Sequence, residues 1–241
     1  MLFPNILIIG ESGQGKSFSA QFLPPETTGI LNVEMKDMPF NSSRLSQFKE
    51  NIPCDSAETT RQALDYLVKH PGINIIFLDS LSMYFDLSEQ ENISIVNSKD
   101  TLGQWRTFGA KSKIFLRTLA CANKLIIATG HQEWLTAPTE EPGQIGNVSQ
   151  RRFKINGKQL EGKVESSFTI VLGAKARTVP GKPLEPIYEF VTRTDGVSSC
   201  KCPIDMQLPA IMPNDLGAVV AAIGKMKGID FSKPFGEQGV K

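Results

Sequence analysis

Four short stretches of the chain are apolar at nearly every position: Asn5-Ile6-Leu7-Ile8-Ile9, Thr28-Gly29-Ile30-Leu31-Asn32-Val33-Glu34, Ile73-Asn74-Ile75-Ile76-Phe77-Leu78-Asp79 and Lys124-Leu125-Ile126-Ile127-Ala128-Thr129-Gly130. Short apolar runs without alternation suit strands covered on both faces of a sheet. Between them the period changes. Residues 57–70 place Ala63, Leu64, Leu67 and Val68 on one helical face, and 105–122 repeat Trp105, Phe108, Phe115, Leu116 and Leu119 at helical spacing. Strand and helix in alternation predict an α/β domain, its parallel sheet joined by right-handed crossovers. After Gly130 the pattern loosens. Asn156-Gly157 between short alternating segments predicts a β-hairpin over 153–160. Two strands, 167–175 and 187–194, flank Pro180-Gly181 and predict an antiparallel C-terminal edge. A last helix is expected over 214–227, between Pro213 and Gly228. The domain is thus read as 1–228, with 229–241 a polar, mobile tail.

The 241 residues fit one large α/β domain. A net charge of +1 argues neither for nor against nucleic acid, so any such contact needs local patches. The four cysteines include Cys200-Lys201-Cys202, whose spacing is poor for a zinc site and has no second pair. No run approaches the ~20 apolar residues of a membrane span, and the N-terminus lacks signal-peptide character. The chain is read as soluble and cytoplasmic.

Chemistry enters at residues 10–17, Gly10-Glu11-Ser12-Gly13-Gln14-Gly15-Lys16-Ser17. This is the G-x-x-x-x-G-K-[ST] phosphate-loop pattern, set between a buried strand and a helix-compatible stretch, 16–22. Glycines let backbone N–H groups turn toward a phosphate, and a helix N-terminus adds a favourable dipole. Gly10 through Phe18 are the expected nucleotide contacts. Lys16 would reach the β- and γ-phosphates, and is expected to face solvent without ligand. Ser17 would bind Mg²⁺, with Asp79 at the end of the third apolar run as the second metal ligand. Glu34 ends the strand after the loop, where a carboxylate can take a proton from an attacking water. His131 and Gln132 end the fourth strand, and either one can sense the γ-phosphate.

Taken together, Gly10–Ser17, Asn32-Val33-Glu34, Phe77-Leu78-Asp79-Ser80 and Thr129-Gly130-His131-Gln132 resemble the core of the RecA-like ATPases. With Thr129-Gly130-His131-Gln132-Glu133, the later Tyr188 to Gly196 stretch and Lys201, the chain more narrowly resembles the small phage RecA-like ATPases of the Sak-four type. That resemblance covers roughly residues 3 to 203. It implies ATP and Mg²⁺ as cofactors, hydrolysis, and action on single-stranded DNA in annealing or recombination. A homo-oligomer and a single-strand-binding protein are the implied protein partners. It also implies a cation from a neighbouring subunit at the γ-phosphate, with Lys201 suited to that task and Lys175 and Arg177 as alternatives. The first core strand starts at Asn5, so assembly is expected either to use a surface other than RecA's N-terminal segment or to be weaker, and a filament is not the expected form.

Two loops of the RecA-like fold approach DNA. The first equivalent, 81–104, is acidic and a poor phosphate binder. The second, 133–163, carries Arg151, Arg152, Lys154, Lys158 and Lys163 around Phe153. Cations beside an aromatic suit a single strand, and Trp134 offers another stacking face. A solvated hairpin with Phe153 packed inward is the competing expectation. For the whole protein the competing classes are a small-molecule kinase and a nucleotide-gated interaction module without DNA.

Overall fold

The computed structural model describes residues 3–93, 100–138, 147–157 and 160–238. Its strands are β1 (Ile6–Gly10), β2 (Thr28–Asn32), β3 (Glu50–Pro53), β4 (Ile75–Asp79), β5 (Leu125–Pro138), β6 (Asn147–Phe153), β7 (Ile170–Val179), β8 (Lys182–Val191) and β9 (Ile211–Pro213). The helices are α1 (Ser42–Leu45), α2 (Ala57–Lys69), α3 (Leu81–Asn92), α4 (Thr101–Cys121), α5 (Lys163–Ser166) and α6 (Leu216–Lys227). The sheet runs β3-β2-β4-β5-β1-β7-β8-β9, with β6 paired to β5. All neighbours from β3 through β7 are parallel, while β7–β8, β8–β9 and β5–β6 are antiparallel. The fold is α/β, a mostly parallel sheet flanked by helices with an antiparallel C-terminal edge. No helix among the described residues is long and apolar enough to cross a membrane.

The continuous apolar runs have the predicted cause. Along β1, Leu7 and Ile9 belong to one buried cluster with α2, α3 and α4, while Ile6 and Ile8 belong to a second with α6. Both faces of the strand are therefore dry, and every position must be apolar. Helix ends follow local rules. Ser56 and Thr59 form a reciprocal capping box at the start of α2, an arrangement whose cap is worth about 1 kcal/mol. Gly228 closes α6 in the left-handed conformation, with its N–H on Gly224 O.

Four expectations are corrected. The stretch after the glycine loop is a six-residue 3₁₀ helix, Ser17–Phe22, not a regular helix. Pro24 and Pro25 follow, and a residue before proline leaves the helical region. The supposed acidic loop 81–104 is mostly helix, α3 and the start of α4. The hairpin after Gly130 lies upstream of the Asn-Gly pair. Strand β5 continues seven residues past the sheet and pairs with β6 from Gln132↔Phe153 to Pro138↔Asn147. Asn156-Gly157 instead makes a bend that buries Ile155 and Leu160 on either side of it.

The fourth correction concerns the tail. Residues 229–238 form an ordered strap. Thr27 Oγ1 donates to Phe231 O at 2.5 Å, Asn74 Nδ2 donates to Phe231 O and Lys233 O, and Phe235 N–H donates back to Asn74 Oδ1. The rings of Phe3, Phe231 and Phe235 pack with centroids 5.1 to 5.7 Å apart. Three aromatic rings bury more apolar surface than the segment's polar composition suggested. Residues 239–241 lie outside the described ones.

Candidate functional site

The carboxyl ends of β1, β2, β4 and β5 meet at a cavity of about 440 Å³. It is lined by Ser12, Gly13, Gly15, Lys16, Ser17, Phe18, Asn32, Glu34, residues 36–39, Asp79, Ser80, His131 and Tyr188. Sheet register makes this convergence. Asn32 pairs with Asp79 across β2–β4, and Gly10 with His131 across β1–β5. Side chains that follow those positions share one edge of the sheet, where open α/β folds bind ligands.

Lys16 is 8% exposed, not solvent-facing as expected. Its ammonium donates to Gly10 O at 3.0 Å and Glu11 O at 2.8 Å. Burial lowers its pKa, and the charges of Asp79, Glu34 and Glu11 work against that fall. Asp79 is buried at the end of β4, where it accepts hydrogen bonds from the hydroxyls of Thr129 and Ser17. Burial holds its carboxyl above the usual range, against the pull of those two hydroxyls. Ser17 and Asp79 thus present adjacent hard oxygens beside a lysine, a donor set that suits Mg²⁺.

Glu34 lies two residues beyond β2. The backbone N–H groups of Val33 and Glu34 both donate to Asp79 O, at 2.7 and 3.1 Å, which pins the chain against β4. Met35 then takes a left-handed φ of 53°, a conformation that costs an ordinary residue roughly 1–2 kcal/mol. Asn32 Nδ2 closes that turn on Lys36 O at 2.8 Å. The result is that Lys36 Nζ returns to Glu34 Oε2 at 2.9 Å, while Ser80 Oγ donates to Glu34 Oε1 at 2.5 Å. Burial pushes the Glu34 carboxyl up, but the Ser80 and Lys36 hydrogen bonds and the Lys36 charge outweigh it, and its pKa lies below the usual carboxylate range.

The structure separates His131 from Gln132. His131 lines the cavity with Nε2 3.8 Å from Glu34 Oε1, and its backbone N–H is held by Ser82 Oγ at 2.9 Å. Burial and the nearby Lys16 charge lower its pKa, so the imidazole is neutral at pH 7. Gln132 faces the other way along the strand and reaches Glu11 Oε1 at 3.3 Å. Within the glycine loop, Gln14 Oε1 accepts from Glu11 N–H at 3.1 Å, an internal brace rather than a group facing the cavity.

Two residues that the sequence reading missed complete the site. Tyr188 of β8 lies against the loop, its ring 5.5 Å from that of Phe18. Asn214 is buried and donates through Nδ2 to Gly15 O at 3.2 Å. In the sequence Tyr188 entered only within the Tyr188 to Gly196 stretch and Asn214 only as the start of the last helix; the antiparallel edge brings both beside β1 by way of β7.

The basic segment is rearranged relative to expectation. Phe153 is 2% exposed and its ring sits so close to Gly130 that a Cβ there would lie 2.1 Å from it. It also packs edge-on against Phe85. A base cannot stack on it, so that assignment is overturned by burial. Trp134, 50% exposed on the facing strand, carries the Arg151 guanidinium 4.6 Å over its ring. Arg152 is held by Gln150 Oε1, Lys154 is exposed, and Lys158 lies outside the described residues. Lys201 is bridged through its backbone to Val171, at the level of Leu7. That is three residues, roughly 10 Å, short of the ligand edge of β1, so it does not join the site of its own chain.

No family model matches the chain, and no curated protein matches it.

Proposed function

We propose that the chain is a Mg²⁺-dependent nucleoside triphosphate hydrolase of RecA-like organisation that works on single-stranded DNA. The observation that carries this is the meeting of Lys16, Asp79, Glu34 and His131, from the ends of separate parallel strands, in one cavity beside the Gly13–Gly15 turn. In this reading the glycine loop takes the phosphates, and Lys16 leaves its two carbonyls to follow the β- and γ-phosphates. Ser17 and Asp79 would hold Mg²⁺, which supplies charge neutralisation on the phosphate oxygens. Glu34 orients the attacking water and accepts its proton as the water oxygen bonds to the terminal phosphorus, the bond from that phosphorus to the bridging oxygen breaks, and the nucleoside diphosphate leaves with that oxygen. Neutral His131 donates to the γ-phosphate, which leaves Gln132 without that role.

The carboxylate pair favours water as the nucleophile over a small-molecule acceptor, and so favours a hydrolase over a kinase. Support for a single-strand partner is narrower and rests on Trp134, Arg151 and Lys154, with Trp134 in the place first given to Phe153. The deciding measurement is phosphate release with ATP and Mg²⁺, with and without single-stranded DNA, for wild type and Lys16→Ala. Turnover in wild type, lost in Lys16→Ala, is expected. Equal turnover in both overturns the phosphate-loop reading, and turnover indifferent to DNA removes the strand from it.

A further inference from the structure

Strand β1 divides the site into two chemically unlike halves. On the side of β5, β4 and β2 stand His131, Asp79 and Glu34, which is where a terminal phosphate and its metal would lie. On the side of β7 and β8 the cavity is closed by Tyr188. A triphosphate laid along the loop therefore has one direction only, with its terminal phosphate toward the carboxylates and its sugar and base toward Tyr188.

The aromatic wall is built into the loop. A Cβ at Gly15 would lie 2.7 Å from Tyr188 Cδ1, so the ring rests on the loop backbone and needs glycine there. Gly15 has φ +82°, which also excludes most side chains. Asn214 ties the two together: its backbone N–H donates to Tyr188 O at 3.1 Å and its Nδ2 to Gly15 O at 3.2 Å. Phe18 braces the ring from the loop side. A half-buried tyrosine held from two directions offers a fixed π face to whatever the loop holds.

We propose that Tyr188 is the stacking surface for the base of the bound nucleotide, and that the site accepts purine nucleoside triphosphates with little distinction between adenine and guanine. Of the cavity's lining, Gly15, Phe18 and Tyr188 offer a backbone and two ring faces at this end, and the Asn214 amide behind them is engaged through Nδ2 with Gly15 O. Stacking tolerates any base, and the larger ring system of a purine gains more from it. Asn214 is a positioning residue that keeps the wall on the loop. The inference rests on the phosphate-loop reading above.

The experiment is equilibrium binding of ATP, GTP, CTP and inorganic tripolyphosphate, each with Mg²⁺, to wild type, Tyr188→Ala, Tyr188→Phe and Lys16→Ala. Wild type should bind both purine nucleotides alike, CTP more weakly and tripolyphosphate more weakly still. Tyr188→Ala should lose roughly ten- to a hundredfold in affinity for ATP and GTP while keeping tripolyphosphate, and Tyr188→Phe should behave as wild type. Lys16→Ala should lose all four ligands. Three results overturn the stacking assignment alone: unchanged ATP affinity in Tyr188→Ala, loss of tripolyphosphate along with ATP in that variant, or tripolyphosphate binding as tight as ATP in wild type. A preference above about a hundredfold between the two purines indicates edge reading and overturns the permissive site. Wild type that binds none of the four ligands overturns the phosphate loop, and the base wall with it.

Discussion

Two polar regions of this molecule, one at the glycine loop and one beside the β5–β6 hairpin, are built on different principles. At the glycine loop the charged groups answer one another: Lys16 lies among Asp79, Glu34 and Glu11, and Glu34 is held by Ser80 and Lys36. Beneath the β5–β6 hairpin, Arg151 Nε, Glu165 Oε2 and Ser199 Oγ are buried without a hydrogen-bond partner among the described residues. The first region hangs on ends of parallel strands, whose register fixes each side chain relative to the next. The second gathers a hairpin strand, the one-turn α5 and the loop 193–199, joined by Arg151 N–H on Val197 O and Phe153 N–H on Glu165 Oε1 rather than by a parallel strand register. Partnered charge is what a site looks like when sheet geometry sets it. Unpartnered polar atoms are not confined to the second region, since Asn214 Oδ1 beside the glycine loop is another, and each costs about 1–3 kcal/mol if left dry.

The largest effect that would sharpen this contrast is chemical. Glu34→Gln should bind ATP with Mg²⁺ yet slow the proposed hydrolysis by about 10²–10⁴-fold, the range for loss of a general base. Near-normal phosphate release in that variant would move the base elsewhere and reduce the ordered carboxylate cluster to a structural one.

Next come the two aromatic residues of the hairpin, which should fail in opposite ways. Phe153→Ala empties a buried site against Gly130 and Phe85 and should cost about 3–5 kcal/mol in denaturant unfolding. Trp134→Ala should change stability by no more than about 1 kcal/mol, the scale of its contact with Arg151, while weakening single-strand binding by about 1–3 kcal/mol. If Trp134→Ala leaves strand affinity and its salt dependence unchanged, the hairpin loses its assigned partner.

A smaller effect separates function from stability at Asp79. Its pKa is raised above that of the unfolded chain, chiefly by burial, so the ionised carboxylate costs stability at neutral pH and costs less as pH falls toward that raised value. Asp79→Asn should therefore raise the Tm of the ligand-free protein, by about 2–4 °C if the gain is about 1 kcal/mol, while weakening Mg²⁺-dependent nucleotide binding. A lower Tm in calorimetry would mean that the Thr129 and Ser17 hydrogen bonds outweigh the buried charge.

The smallest expected change is a displaced pH profile. Glu34 titrates below the usual carboxylate range, so both its contribution to stability and its activity as a base persist at neutral pH and fade only as pH drops through that lowered value. Lys36 supplies part of the lowering and is 74% exposed, so salt screens it. Lys36→Ala should move the acid limb of the rate profile toward higher pH, and high salt should move the wild-type limb the same way. A fixed limb in both tests would show that the group titrating there is not Glu34.

What the sequence disclosed follows the same division. The core strands and α2, α4 and α6 were readable because a two-faced sheet and amphipathic helices impose strong periods. Lys16, Glu34, Asp79 and His131 were readable because each sits in or just after such an element. Lys16 was nonetheless misplaced. Without a ligand its ammonium turns inward to two loop carbonyls, a contact that no periodicity encodes. Tyr188 and Asn214 were missed because their role depends on β8 lying two strands from β1, a distance set by tertiary pairing. Of the two places expected for Phe153, the inward one holds, and the sequence did not decide between them because its partner Gly130 lies on β5, across a hairpin whose register Asn156-Gly157 does not set.

The strap across Thr27 and Asn74 has a consequence for how the molecule is made. Strand β1 leaves a ribosome well before either of its neighbours, β5 beginning at Leu125 and β7 at Ile170. The buried amide of Asn74 waits longer still, for Phe231, Lys233 and Phe235. Such distant pairings are slow to form, and an incomplete chain carries open strand edges in the meantime. A nascent chain halted before residue 231 would leave Asn74 and Thr27 without those partners and the ring of Phe3 without its two aromatic neighbours. Synthesis of residues 231–235 is thus the step that supplies the last partners of Thr27, Asn74 and Phe3.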